Sequence, residues 1–551
     1  MDISIRVAGE AGQGVQSAGE LLVRAFAGMG LHVFATKSYM SRIRGGLNWF
    51  DVRIADRELF AGKGAADLLV ALTPAALEVL RDQTAGGLIL FDGEQADGAA
   101  AIPFTQAAKQ IGSAVMANSV AAGAVFAVLG YDPQVLCELL RRQYRSKGDE
   151  VAEANAACAL RGAELAGPHA GRYKAPQPAG APASVCAGAE AIGLAAATAG
   201  VKFVTGYPMT PGTATLQYLA AMADKYGIVV EQAEDEIAAI NMVCGAAYAG
   251  VPAMTATSGG GFALMAEGLS LAGICELPAV IVIAQRPGPA TGLPTRTAQQ
   301  DLLFALHAGH GEFARAVYAP GTHAECYELT RLALQTAHRF QTPAIVLTDQ
   351  FLQDAEKNIP PLDDSPRPID RCIVQAAEGY LRYAVTEDGV SPRAIPGGDA
   401  PVVVDSDEHG PDGHLTEDLQ IHMDQQDKRM RKLRGLTADA RPPSLHGPAD
   451  APALLICWGS TYGPCREAVD AMNTVGEPAA MLHFSQVWPL NAEAARAAIG
   501  RRDRLIVVEG NATGQFASML RAAGLIGSAE SCLRYDGLPF NADQIVSHVR
   551  H

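Results

Sequence analysis

Glu234, Asp235 and Glu236 stand directly before a run in which Ile237, Ile240, Cys244 and Ala247 recur at helical spacing, closed by Gly250. That pattern puts Glu236 in the first turn of a helix whose other faces are Ala, Ile, Met and Val. Apolar surroundings disfavour a charged carboxylate, so Glu236 is a candidate for a raised pKa and for proton traffic. The same acidic cluster also has a plainer use, complementing the dipole of an ordinary helix. Upstream, the apolar run from Val201 to Val204 is stopped by the turn Tyr207-Pro-Met-Thr-Pro-Gly. A buried strand ending there sets Thr210 at the carboxyl end of a parallel sheet, where ligands bind.

Further candidates lie elsewhere in the chain. Gly9-Glu-Ala-Gly-Gln-Gly14 follows a strand-like alternation over Asp2 to Ala8 and precedes an apolar-periodic helix. Gly9, Gly12 and Gly14 either cradle a phosphate with their amides or allow close strand–helix packing. Between the second and third strands, Lys37 to Gly46 carries three cations, Arg42 and Arg44 among them, and reads as a phosphate-binding or a solvated basic loop. His409 and His414, flanked by carboxylates, have the elements of a metal site, although such loops more often hydrogen-bond across an interface. The ten cysteines form no C-x-x-C pair and sit mostly in apolar runs. They read as reduced, buried thiols of a cytoplasmic protein, without the spacing of an iron–sulfur site.

The elements that must position these residues are α/β. At 551 residues the chain exceeds one hydrophobic core, and 49% apolar with 19% charged residues is a packed composition. A formal charge of −16 disfavours nucleic acid or an anionic membrane surface as partner. The N-terminus opens on a strand rather than a signal peptide, and the uncharged run 111–130 reads as a buried helix and strand rather than a membrane span. Strands are expected at Leu31 to Ala35, Phe50 to Ile54, Asp67 to Leu72 and Gly87 to Phe91. After a Pro, Gly and Ala-rich linker, 168–183, they recur at Val201, Ile228, Ala253, Ala279 and Ala344 with helices between, the pattern of a doubly wound sheet. Residues 358–450 are irregular, and the basic helical run Lys428 to Arg434 within them reads as a solvated face or a subunit contact. Strands at Ala453 to Trp458, Pro478 to His483 and Arg504 to Glu509 close the chain in a last α/β domain.

Four stretches in register carry a resemblance: Tyr207-Pro-Met-Thr-Pro, Glu234-Asp-Glu-Ile-Ala-Ala-Ile-Asn, Thr257-Ser-Gly-Gly-Gly-Phe and Gln285-Arg-Pro-Gly-Pro-Ala-Thr-Gly-Leu-Pro-Thr-Arg-Thr. Together they resemble the α subunit of the 2-oxoacid:ferredoxin oxidoreductases in the form with a γ domain fused at its N-terminus. The resemblance implies a γ-type domain handling coenzyme A at 1–167, a thiamine diphosphate pyrimidine-type domain at 184–357, a packing segment at 358–450 and a transketolase C-terminal-like domain at 451–551. It implies Glu236 beside N1′ of the aminopyrimidine, where a carboxylate favours the imino tautomer that takes the thiazolium proton. Tyr207 and Pro208 would line the cofactor, Thr210 would bind a substrate oxygen, and Arg296, with Arg286 and Arg315 behind it, would bind the substrate carboxylate. Gly9, Gly12, Gly14, Arg42 and Arg44 fall to coenzyme A.

The Gly-Asp-Gly…Asn-Asn motif for diphosphate and Mg²⁺ is absent from this chain. The resemblance therefore implies a β subunit supplying diphosphate, Mg²⁺ and a 4Fe–4S cluster, in an (αβ)2 assembly that reduces ferredoxin. It favours 2-oxoglutarate, with pyruvate or a branched-chain 2-oxoacid as alternatives. A non-catalytic nucleotide-binding scaffold is the competing reading, against which Glu236, Thr210 and Arg296 stand together.

Overall fold

The computed structural model describes residues 1–40 and 46–551, and Arg42 and Arg44 lie outside them. The chain forms two compact units: Met1–Cys186 with Ala355–Pro361, and Ala187–Asp354 with Leu362–His551.

In the first unit the strand Asp2–Glu10 lies between Leu47–Ala55, antiparallel, and Ala66–Ala71, parallel. His32–Ser38 extends the sheet antiparallel to Leu47–Ala55, and Thr84–Phe91 extends the other side. The sheet is thus mixed, with helices packed on it around Phe26 and Phe126, whose rings stack at 5.3 Å. The uncharged run 111–130 differs from expectation. It holds no strand; Ala117–Leu129 is one buried helix against the helix Asp149–Leu165. Its alanines favour helix. A second difference is the short strand Glu356–Asn358, which pairs with His32–Ser38. Asn358 secures it by accepting from the Val33 amide at 2.9 Å and donating to the Leu31 carbonyl at 2.8 Å.

The second unit carries two sheets. In the larger, the order is Gln486–Trp488, Ala316–Tyr318, Ala344–Asp349, Val280–Gln285, Ala253–Thr257, Phe203–Gly206 and Val229–Gln232. All but the first run parallel. Helices cover both faces, so central strands such as Val280-Ile-Val-Ile-Ala-Gln are buried throughout and read as unbroken apolar runs. The smaller sheet runs Ser444–His446, Ala479–Phe484, Ala453–Trp458, Arg504–Glu509 and Glu530–Leu533. Ile281, Leu347, Leu454 and Phe516 belong to one continuous core beneath both. Strands Ala316–Tyr318, Gln486–Trp488 and Glu530–Leu533 were not marked by the sequence patterning; each is three or four residues long.

Residues 358–450 hold one long helix, Leu419–Ala438. Its basic run is not a solvated face: Lys428, Arg429 and Lys432 are buried. Lys428 and Lys432 approach the carboxylate of Glu276 at 2.7 and 2.5 Å, and Arg429 pairs with Glu408 at 2.9 Å. Their charge partners are distant in sequence, which is why composition alone placed them outside. His409 is enclosed beneath Tyr383, ring centroids 3.8 Å apart, whereas His414 is exposed beside Asp412. Among the described residues no three His, Cys, Asp or Glu side chains gather as metal ligands. No helix among them is long and apolar enough to cross a membrane.

Candidate active site

Parallel strands deliver their following loops to one edge of the sheet, and the candidate residues collect there. Phe203–Gly206 hands over to the turn holding Tyr207, Pro208 and Thr210. Val229–Gln232 is followed by the helix Glu236–Tyr248, Ala253–Thr257 by the helix Gly259–Leu264, and Val280–Gln285 by Arg286. Close approach makes this convergence possible. A Cβ on Gly212 would lie 2.8 Å from the backbone nitrogen and oxygen of Thr257, so the Thr210 turn can settle on that strand end only without a side chain.

Asp235, not Glu236, caps the helix, accepting from the Ala238 amide at 2.8 Å. Glu236 is thereby left free of the capping role. Its side chain turns inward and is only 2% exposed. The Thr257 hydroxyl donates to its Oε1 at a long 3.5 Å, and it forms no ion pair among the described residues. Burial raises its pKa, opposed by backbone and Thr257 hydrogen bonding. A Cβ at Gly261 would come within 2.4 Å of Glu236 Oε1 and 2.0 Å of Thr257 Oγ1. The glycine run after Ser258 is therefore what lets the carboxylate lie against the strand end. Tyr207 on the preceding turn, and Ile237 and Met242 on the helix that Glu236 begins, are all more than a third exposed.

Arg286 is the cation at this edge. Its Nη1 donates to the Thr210 carbonyl at 2.6 Å, and its charge acts on both Glu236 and Asp301. Burial lowers its pKa and raises that of Asp301 to about 6. Asp301 Oδ2 is buried with no hydrogen-bond partner, while its backbone amide donates to the Gln285 side chain at 3.0 Å. The structure therefore brings Glu236, Thr210, Thr257, Arg286 and Asp301 together. Arg296 lies farther along the same loop, its Cβ against Gly537, and is partly buried. The loop folds back on itself through Leu293 donating to the Pro287 carbonyl at 3.0 Å and Arg296 donating to Leu293 at 3.1 Å. Arg315 is elsewhere: it precedes the strand Ala316–Tyr318 and so stands at the opposite, amino edge of the sheet. The position of Arg286, immediately after a central strand, was the available signal for its importance; Asp301 had none, since the fold of the intervening loop decides where it goes.

In the first unit, the turn after Asp2–Glu10 runs through Gly12 and Gly14, both left-handed at φ 92° and 78°. Gln13 folds back so that its side chain accepts from the Glu10 amide at 2.9 Å. Gly9 is in contact range of Gln13 and Val15, and Gly14 faces Asn118. Lys37 pairs with Glu356 at 2.5 Å.

Comparison with known proteins adds the following. Residues 194–428 match the family model described as pyruvate flavodoxin/ferredoxin oxidoreductase, thiamine diphosphate-binding, and residues 4–165 match that of pyruvate ferredoxin/flavodoxin oxidoreductase. A 2-oxoacid:ferredoxin oxidoreductase subunit alpha from a Sulfolobus species is 30% identical, aligned over 99% of this chain and 96% of its own length. The 2-oxoglutarate oxidoreductase subunit KorA of Mycobacterium tuberculosis is also 30% identical, over 100% and 91%. Among solved structures, the 2-oxoglutarate:ferredoxin oxidoreductase from Magnetococcus marinus, with 2-oxoglutarate, coenzyme A and succinyl-CoA bound, superposes with a TM-score of 0.93. It is 33% identical and is covered over 99% of its chain and 100% of this one.

Proposed function

Since this chain belongs to the 2-oxoacid:ferredoxin oxidoreductases as an alpha-type subunit, we propose that it oxidises 2-oxoglutarate, with Glu236 as the carboxylate that works on thiamine diphosphate. The enzyme converts a 2-oxoacid to its acyl-CoA with reduction of ferredoxin and uses thiamine diphosphate and coenzyme A. One observation carries the site assignment: a carboxylate only 2% exposed, with a long 3.5 Å hydrogen bond from Thr257 and no ion pair among the described residues. Such a group is costly to bury unless a polar partner completes it. A heteroaromatic ring nitrogen set against apolar side chains fits that need.

When bound, thiamine diphosphate supplies an acidic thiazolium carbon and an electron sink for decarboxylation. This chain's residues do the rest. Glu236, its pKa raised by burial, would hold a proton at the aminopyrimidine, and the missing side chain at Gly261 leaves room for the carboxylate. Tyr207 and Pro208, on the exposed turn after the strand, would line the cofactor. Thr210 and Arg286 bind the substrate oxygens, with Asp301 biasing the guanidinium. Arg296, on the same folded-back loop, offers a second cation, which suits a dicarboxylate such as 2-oxoglutarate better than pyruvate. Gly9, Gly12 and Gly14, with Arg42 and Arg44, are assigned to coenzyme A. The diphosphate, Mg²⁺ and the 4Fe–4S cluster are assigned to a β subunit in an (αβ)2 assembly, a reading supported by the lack of a Gly-Asp-Gly…Asn-Asn motif and of close cysteine spacings in this sequence.

The test is coenzyme A-dependent reduction of a viologen dye by the chain co-expressed with its partner subunit, across a panel of 2-oxoacids. The fastest turnover is expected with 2-oxoglutarate. A faster rate with pyruvate or a branched acid overturns the substrate assignment, and no reduction with any acid overturns the catalytic one. Within the same assay Arg286→Gln should lower kcat/KM by about 10²-fold, the worth of a charge-assisted pair of hydrogen bonds. A larger loss in Arg296→Gln would move the substrate carboxylate to Arg296. Gly261→Ala should also cost about 10²-fold through displacement of Glu236. Unchanged turnover in that variant would mean that the carboxylate need not lie where it does.

A further inference from the structure

At the amino edge of the larger sheet, opposite Glu236, the second unit contains a cavity of about 820 Å³. It is bounded by the helices Leu302–His307, Leu419–Ala438 and Gln515–Ala522 and by the strand Gln486–Trp488. Its walls are apolar, with Leu306, Trp488, Leu490 and Met519 prominent, and its volume is that of sites that enclose small organic molecules.

Among the described lining residues, Arg315 is the charged one that is buried. It lines the cavity yet is only 6% exposed. The guanidinium carbon sits 4.4 Å from the Phe313 ring centroid, and Nη1 donates to the Ala305 carbonyl at 3.2 Å. No carboxylate of the described residues lies within ion-pair distance of it. Burial accordingly pushes its pKa down to about 10, with no neighbouring charge opposing the shift. Stacking on an aromatic ring and one carbonyl acceptor offset part of the cost of such a charge, but neither supplies a counter-charge. Several other buried cations have carboxylate partners, Lys428 and Lys432 in Glu276, Arg429 in Glu408 and Arg53 in Asp2, whereas Arg382 and Arg393, like Arg315, have only neutral acceptors.

We propose that this cavity is a binding site for an amphipathic monocarboxylate, with Arg315 taking the carboxylate and the Leu306, Trp488, Leu490 and Met519 walls enclosing the hydrocarbon. A planar carboxylate matches the guanidinium's parallel N–H bonds. The volume of about 820 Å³ leaves room for a medium-length hydrocarbon chain. Glu312 and His307 stand exposed at the rim, so the one buried charge selects the head group. The site is independent of the reading of Glu236, because it occupies the other edge of the sheet.

Decanoate is the probe, titrated into the complex of this chain with its partner subunit. Binding is followed by tryptophan fluorescence, to which Trp488 reports, and by calorimetry. One saturable site per chain is expected, with at least tenfold weaker binding of 1-decanol and at least tenfold weaker binding of decanoate to Arg315→Gln. Ser518→Trp, which plugs the cavity from the exposed face of its helix, should weaken decanoate likewise; it decides the matter should the Arg315 variant not fold. Three results overturn the proposal: equal affinity for decanoate and decanol, wild-type affinity in Ser518→Trp, or no saturable binding because the partner polypeptide covers the cavity.

Discussion

Replacing Glu236 with alanine is expected to lower 2-oxoacid-dependent dye reduction by about 10³-fold, the scale of a lost proton-transfer group. The complex should still assemble. Glu236 does not cap its helix, since Asp235 accepts from the Ala238 amide, and its hydrogen bond from Thr257 is a long 3.5 Å. Removing a side chain whose pKa is raised by burial takes away a group that the fold keeps at a cost, so stability should hold or improve. Loss of activity with an intact or raised melting temperature separates a catalytic carboxylate from a structural one. Glu236→Gln keeps the shape, lacks the titrating proton and should be nearly as slow. Near-normal turnover in either variant removes Glu236 from the mechanism.

The second large effect is on stability. Glu276 is fully buried, in a left-handed conformation at φ 50°, with Lys428 at 2.7 Å and Lys432 at 2.5 Å on its carboxylate. Arg382 donates to its backbone carbonyl at 2.8 Å. Burial alone would raise its pKa, but Lys432, Lys428 and Arg382 outweigh that and hold it at about 2. Glu276→Ala leaves buried ammonium groups uncompensated and should cost about 3–5 kcal/mol in chemical denaturation. The folded pKa lies below the ordinary 4.5, so the stabilisation is present above that value and is lost as pH falls toward about 2. Wild-type stability should therefore fall over that window, and the variant's should fall less. Equal stability of the two proteins at neutral pH would show that the lysines find other partners or water.

Local pattern revealed the elements and motif wording revealed the acid. Ala253–Thr257 and Ala453–Trp458 were legible as strands because burial on both faces demands uninterrupted apolar residues. Glu236 was legible because the helix after it has apolar spacing and the turn before it has a familiar composition. What sequence could not supply was anything set by a loop's path or by distant pairing. Arg296 and Arg286 share one loop, and only its folding puts Arg286 on the Thr210 carbonyl. The run Lys428 to Arg434 looked solvated because its counter-charge, Glu276, lies some 150 residues away along the chain. The strand Glu356–Asn358 is three residues long, and its pairing depends on one asparagine side chain.

The central claim is that Glu236 acts on the aminopyrimidine of thiamine diphosphate. Its most direct test is the exchange rate of the cofactor's thiazolium hydrogen, measured by NMR after acid quench of the assembled complex in deuterium oxide. Exchange in Glu236→Ala slower by about 10³-fold, with the cofactor still bound, is the predicted result. Equal exchange in the variant and the wild type would contradict it.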